Sequence, residues 1–340
     1  MGYPDFKETN RAIGECRMKK IGKMILLGVL AVIAMLGVYI YIVPYFIPLE
    51  FTDSSNFFRY QVTGNHVEIV RYMGSEEEVT IPERLMGHPV TVLGSFLGKG
   101  CFEENKNIKK ITIPDSVLEI GACVFWGCDN LEEVQLPKRL KKIEISTFIG
   151  CHALKDIKLP EGVEMIEDSA FAYCNSLTEI VIPDTVQSIG WEAFGFCSSL
   201  EKVVISQGVK EIAGDAFEKT PWLENQTEEF VTAGDNVLIS YTGDDSVVNI
   251  PDEITYAGKG LFFKNSSVIK VVFPQSVKKL GFWTFFNNEN LKYIVLENND
   301  IILEQSFIYD CENVTIISRK GSTGQKYAQE NNIPWQELEE

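Results

Sequence analysis

The 340-residue sequence predicts a β-rich solenoid carried behind one N-terminal transmembrane helix, and three observations lead there. Phe125, Phe148, Phe171, Phe194 and Phe217 recur at a step of 23 residues. Cys128, Cys151, Cys174 and Cys197 keep that step, as do Pro114, Pro137, Pro160 and Pro183. A period of roughly 20–30 residues marks an architecture in which each repeat is one coil stacked on the last. Such a stack is one domain however many coils it has, so length does not count domains here. With 45% hydrophobic and 23% charged residues the chain has enough apolar material for a core, which excludes a disordered class.

The third observation is that no charged residue falls between Lys23 and Glu50. Residues 24–47 form an apolar run of 24, and at about 1.5 Å per helical residue this exceeds the roughly 30 Å hydrocarbon core of a bilayer. Tyr39, Tyr41 and Tyr45 lie toward its outer end, where aromatic rings favour the interface. A cleaved leader would have a shorter apolar region and a small-residue cleavage site, neither of which is present. The preceding tail, 1–23, carries Lys7, Arg11, Arg17, Lys19, Lys20 and Lys23 against Asp5, Glu8 and Glu15. Positive charge stays inside, so the tail is expected in the cytoplasm and the remainder outside, as a single-pass cell-membrane protein. The tail carries a net +3 against a total of −17, so the exported part carries −20, which argues against nucleic acid as a partner. Met1-Gly2 lacks Ser or Thr at position 6, so it is no myristoylation signal.

Within one unit, Leu177–Ser199, Ile180 and Ile182 flank Val181 as on a short strand with one buried face. Pro183 ends the strand because it has no N–H to give a neighbouring coil. Val186 and Ile189 turn inward, Gly190 permits a bend, and Ala193, Phe194 and Cys197 fill the far side. A single coil buries too little to order itself, so several must stack and the ends need caps. Seven of the eight cysteines lie beyond residue 47, and the four recurrent ones read as compact buried hydrophobes in a ladder. Coil spacing does not forbid an occasional disulfide between neighbours.

The pattern Leu177-x-x-Ile180-x-Ile182-Pro183-x-x-Val186-x-x-Ile189-Gly190-x-x-Ala193-Phe194-x-x-Cys197 resembles that of BspA-like leucine-rich repeat surface proteins. The likeness spans about Val79–Ser318. It implies a leucine-rich repeat solenoid with parallel strands and a role in adhesion or protein binding, mostly at bacterial surfaces. It transfers no ligand.

Departures from the pattern divide the exported part. Residues 48–57 are expected as a linker, 58–82 as a capping β-hairpin and 83–219 as a first repeat block. Residues 220–246 break the repeat, 247–317 form a second block and 318–340 a C-terminal cap. Phe230–Pro251 echoes Tyr60–Pro82, with Gly234/Gly64, Val237/Val67, Tyr241/Tyr72 and Gly243/Gly74 in correspondence. Both stretches read as hairpins, with turns at Gly64-Asn65 and Gly234-Asp235-Asn236. In the unit Leu291–Asn313 the pattern degrades, with Phe307 one place early, and that side chain is expected to matter less than its counterparts. In the cap, Ser322 precedes a short helix over Thr323–Asn331 with Tyr327 and Ala328 inward.

No catalytic, metal or cofactor constellation emerges. Ser276-x-x-Lys279 matches a nucleophile motif but occupies an ordinary repeat segment. Gly258-Lys259-Gly260 lacks the remaining glycine of a nucleotide loop, and His66, His88 and His152 are scattered. Two surface features remain as candidate partner-binding sites. One is the outward strand position, which reads Thr112, Gln135, Lys158, Val181, Val204, Asn249, Val272 and Val295 and becomes aliphatic toward the C-terminus. β-branched residues also suit exposed strands for their own sake. The other is aromatic: Trp126, Tyr173, Trp191, Phe196, Phe282, Trp283 and Phe286 occupy positions that the repeat leaves unspecified. The expectation is a membrane-anchored module for protein–protein interaction or adhesion, not an enzyme. Its partner would be an extracellular or membrane protein. The alternative is the sensing or scaffolding ectodomain of a membrane complex.

Overall fold

Where apolar residues alternate at the head of a repeat, the chain forms a short strand that pairs in parallel with its counterpart in the next coil, except at Asp156–Leu159. The structure, a computed structural model, describes residues 50–55, 57–94 and 100–339. The tail 1–23 and the apolar stretch 24–47 lie outside the described residues, among which no helix is long and apolar enough to cross a membrane. Part of the expected linker is a strand, Glu50–Thr52.

The first ladder joins Glu78–Thr80, Lys110–Thr112 and Glu133–Gln135, then resumes with Glu179–Ile182 and Lys202–Ile205. In the C-terminal part it joins Val247–Asn249, Lys270–Phe273, Tyr293–Leu296 and Thr315–Ser318. A second ladder forms further along each repeat, where it reads x-Ile: Lys142–Ile143, Met165–Ile166, Ser188–Ile189 and Glu211–Ile212. Glycine is required at Gly190 because a Cβ there would sit 2.6 Å from the main-chain nitrogen of Asp168 in the previous coil. The third side of the first block is a column of turns that still exchanges main-chain hydrogen bonds. The N–H of Phe148 donates to Ala170 (2.8 Å), that of Phe171 to Ala193 (2.7 Å) and that of Phe194 to Ala216 (2.8 Å). Cys123, Ser146, Ser169 and Glu192 turn this corner with φ between 47° and 59°, in the left-handed region.

Inside the coils the phenylalanines of the repeat stack ring on ring. Phe125, Phe148, Phe171, Phe194 and Phe217 follow one another at 5.1–5.3 Å between centroids, with interplanar angles of 8° or less. The column ends where Trp222, on the short helix Pro221–Glu224, meets Phe217 edge-on at 4.8 Å.

Two hairpins open the two blocks in the same way. Phe58–Thr63 pairs antiparallel with His66–Tyr72, and Phe230–Ala233 with Val237–Tyr241. Each carries an irregularity near its start, at Arg59/Tyr60 and at Val231/Thr232. The second strand of each then pairs in parallel with the following coil. Gly74 and Gly243 each lie under a tyrosine, Tyr72 and Tyr241, and a Cβ on either would collide with that hydroxyl. Val237 and Ile239 point into the core of the first block while Leu238 points into that of the second. Residues 237–239 are thus buried on both faces, which is why they read as an unbroken apolar run. Residues 220–246, expected as an irregular insertion with a β-hairpin, therefore hold the wall between two cores.

Residues from Phe51 onward form one compact unit. Its C-terminal end is closed by the helix Thr323–Glu330, capped when Ser322 accepts from the N–H of Gln325 (3.3 Å), with Ala328 buried and Tyr327 half-buried. The chain then adds a parallel strand, Trp335–Glu337, beside Thr315–Ser318. Phe307, the early phenylalanine, is fully buried but leaves the ring column and packs on Tyr327 at 4.6 Å.

Candidate binding surfaces

The outward positions of the first ladder do not become steadily aliphatic and exposed. Val181 and Val204, paired in register, are 53% and 44% exposed. Val272 is half-buried, and Val295, expected on the surface, is buried. Val272 and Ile317 stand in register on either side of it, so three β-branched side chains cover one another. The exposed aliphatic face is therefore confined to the C-terminal coils of the first block.

Beside it the ladder is broken. Between Glu133–Gln135 and Glu179–Ile182, the coil Asp156–Leu159 pairs only through a single bridge, Glu133 to Asp156. Elsewhere the N–H before the proline donates across the ladder, Ile81 to Thr112 and Ile113 to Gln135, each at 3.0 Å. The equivalent bond from Leu136 to Lys158 is missing among the described residues. A depression of about 890 Å³ opens there, lined by Val134, Leu136, Lys138, Lys158 and Pro160. A second, of about 570 Å³, lies on the other side of the same coil against Thr178, Val181 and Pro183. Ion pairs between adjacent coils frame this face: Lys155 with Glu132 (2.8 Å), Lys110 with Glu133 (2.8 Å) and Lys202 with Glu179 (2.6 Å). The Lys155 ammonium holds Glu132 below the usual carboxylate range. Exposed Lys158 joins none of these pairs.

The aromatic candidates fall into three places. Trp126 stands 46% exposed and stacks on no other ring among the described residues. Tyr173 and Phe196 stack in parallel at 4.8 Å, both at left-handed corners. Trp191, Phe282, Trp283 and Phe286 are half-buried and mostly pack on each other. Trp191 meets the edge of Trp283 at 5.7 Å, and a Cβ on Gly260 would come within 2.9 Å of the Trp191 ring. The pair therefore ties the first block to the second, together with Lys279, whose ammonium bridges Glu211 (2.6 Å) and Glu304 (2.9 Å). Two members of this surface escape a reading based on single repeats: Phe263, 45% exposed, and Tyr309, 52% exposed. With Phe286 between them they keep the 23-residue step, which is the sign that reveals them.

The remaining chemistry is occupied in building the fold. Burial works to lower the pKa of Lys279, but hydrogen bonds to Glu211 and Glu304 outweigh it and raise the pKa, which suits a structural cation rather than the base of a Ser-x-x-Lys motif. Cys128, Cys151, Cys174 and Cys197 are free, and their thiols donate to the carbonyls of Phe102, Phe125, Phe148 and Phe171 at 3.0–3.3 Å. They are hydrogen-bond donors as well as compact apolar groups. Burial pushes the Cys128 thiol up to about 12. Asp215, mostly removed from water and close to Glu192 and Glu218, is pushed up to about 7 chiefly by that burial. Among the described residues no three His, Cys, Asp or Glu side chains gather as metal ligands.

Parallel ladders at a fixed short period, with one phenylalanine column inside, define a leucine-rich repeat solenoid. The chain belongs to the BspA type leucine rich repeat family, whose pattern matches residues 95–224 and 241–329 in six copies. Among solved structures, a leucine rich cell surface protein from Faecalibacterium prausnitzii A2-165 is 22% identical with a TM-score of 0.50, over 86% of this chain and 96% of its own. A leucine-rich repeat protein from Bacteroides ovatus ATCC 8483 is 25% identical with a TM-score of 0.47, over 82% of this chain and 74% of its own. The leucine rich repeat protein of T. pallidum is 20% identical with a TM-score of 0.42, over 78% and 99%. The first of these likenesses speaks for the fold alone. No curated protein matches the sequence.

Proposed function

We propose that this protein is a membrane-anchored cell-surface module that recognises protein partners through the strand face of its first repeat block. The observation that carries the reading is the broken ladder at Asp156–Leu159, where an aliphatic step, Val181 and Val204, borders two depressions and unpaired main-chain groups. Exposed apolar side chains rimmed by charge, beside free N–H and C=O groups, suit a protein surface or an extended segment of one. Family membership supports a binding role. The uncharged run 24–47 and the basic tail before it support a single-pass anchor with the repeats outside and a role in adhesion.

The test uses the fragment from Phe51 onward, displayed on beads and offered to the surface proteins of neighbouring cells. Val181→Asp with Val204→Asp should reduce capture of a defined partner by at least about tenfold, a loss of about 1.4 kcal/mol, with unchanged circular dichroism. Equal capture by parent and variant rejects the strand face. Protease shaving of intact cells tests the location, since repeats that survive shaving are not outside.

A further inference from the structure

The surface ring column Phe263, Phe286, Tyr309 rises one coil per step. Phe263 and Phe286 stack at 4.8 Å, and Phe286 and Tyr309 at 5.5 Å with only 8° between their planes. In such a column each ring hides the face of the one before it. Lys264 covers the Phe263 ring, its ammonium 5.0 Å from the centroid. At the other end the column stops, because the residue 23 places beyond Tyr309 is Asn332, in the turn that follows the capping helix. One face of Tyr309 is thus taken by Phe286 and the other has no ring to follow it. Tyr309 lines a cavity of about 440 Å³ between the last coil and the cap.

Besides Ser306, Cys311, Tyr327 and Asn331, three polar side chains share that cavity: Asp310, Asn313 and Asn332. All three side chains are exposed and, among the described residues, make no hydrogen bond or ion pair, while neighbouring Asn331 spends its amide on the carbonyl of Tyr327 at 2.9 Å. Their backbones are held at φ 54°, 62° and 55°, so their main-chain directions are set rather than free. No Lys, Arg or His lines the cavity, which disfavours a phosphate or an acidic ligand. An open aromatic face calls for a flat apolar surface with polarised C–H bonds. One carboxylate and two amides around it call for several hydroxyls that both donate and accept.

We infer that the cavity at the C-terminal cap, with Tyr309 as its floor and Asp310, Asn313 and Asn332 as its polar rim, is a binding site for a neutral hexopyranose unit of a glycan. One face of the sugar ring stacks on Tyr309. Its hydroxyls donate to the Asp310 carboxylate and exchange hydrogen bonds with the amides of Asn313 and Asn332. The site is separate from the strand face, so it stands or falls independently of the protein-binding reading.

The experiment is saturation-transfer NMR on the full chain, held in a detergent without a sugar headgroup. The probes are methyl glycosides of β-glucose, β-galactose, α-mannose and N-acetyl-β-glucosamine. At least one should receive saturation, strongest on the C–H protons of one ring face. Tyr309→Ala should weaken that probe about tenfold. Because Ile308–Tyr309 pairs with Phe285–Phe286, this variant is accompanied by Asp310→Gly and Asn332→Gly, where glycine suits the left-handed backbone. Each of these should weaken the probe severalfold, and Tyr173→Ala, on another aromatic column, should leave it unchanged. Absence of saturation in all four glycosides overturns the site. So does a signal that both glycine variants retain in full.

Discussion

The Cys174 thiol donates a hydrogen bond to the main-chain carbonyl of Phe148, 3.3 Å away in the previous coil. The bond spans 26 residues, and in the second block Asn288 makes the same one with its amide to Phe262, at 2.6 Å. The column thus selects a small donor more than it selects sulfur. Cys174→Ser, which keeps a donor, should cost less than Cys174→Val, which removes one of the two hydrogen bonds that the Phe148 carbonyl accepts, the other coming from the Cys151 N–H (3.1 Å), at about 0.5–1.5 kcal/mol. Urea unfolding of the two variants measures the difference. Burial also raises the Cys151 and Cys174 thiols far above their ordinary range, so iodoacetamide at pH 8 should leave both unmodified in the native protein.

Asp215 links stability to pH. Its folded pKa, about 7, lies above the ordinary aspartate value of 3.8, so the unfolded chain gives up this proton first. Stability is intact below the unfolded value and falls as pH rises through about 7. Asp215→Asn should therefore stabilise the protein by about 1–3 kcal/mol at pH 8 and change little at pH 4. Melting temperatures at the two values check the sign.

Trp191 now carries a structural expectation. Because it meets Trp283 across the junction of the blocks, Trp191→Ala should remove about 0.5–1.5 kcal/mol beyond the area it buries. The loss should appear as faster amide exchange around Ala213 and Lys259, whose strands bridge there. Trp126→Ala, with no ring partner among the described residues, should leave exchange unchanged.

Phe171→Ala should cost about 3–5 kcal/mol by opening a cavity inside the stacked column. The sequence suggests a smaller loss at Phe307, but full burial against Tyr327 removes that expectation. Phe307→Ala should cost a similar amount and release the C-terminal helix first, a sequence of events that exchange at Ala328 reports.

The period, the strand positions, the inward residues and both hairpins were legible because each rests on side-chain chemistry that repeats: apolar alternation, proline, glycine pairs. The left-handed corner at Ser146, Ser169 and Glu192 was not, since no glycine marks it. The capping helix could be read from Ser322, whereas the strand Trp335–Glu337 has no period behind it and forms only because the last ladder offers an edge. Of the candidate surfaces, Val181 and Val204 were found by position. Val295 misled because exposure depends on neighbours in register, and the broken coil at Asp156–Leu159 follows a sequence that fits the repeat as well as any other.

The second hairpin has a consequence for how the chain reaches its folded form. A stack that grows coil by coil must wait for its first turn, and the waiting time lengthens with the run. Phe230–Ala233 and Val237–Tyr241 make a local antiparallel contact in the middle of the chain, closed by a turn of three residues, Gly234–Asn236. The C-terminal coils thus have a starting point of their own. Two shorter assemblies can proceed side by side and meet at Trp191 and Lys279, so late-made residues need not stay exposed until the earliest have settled.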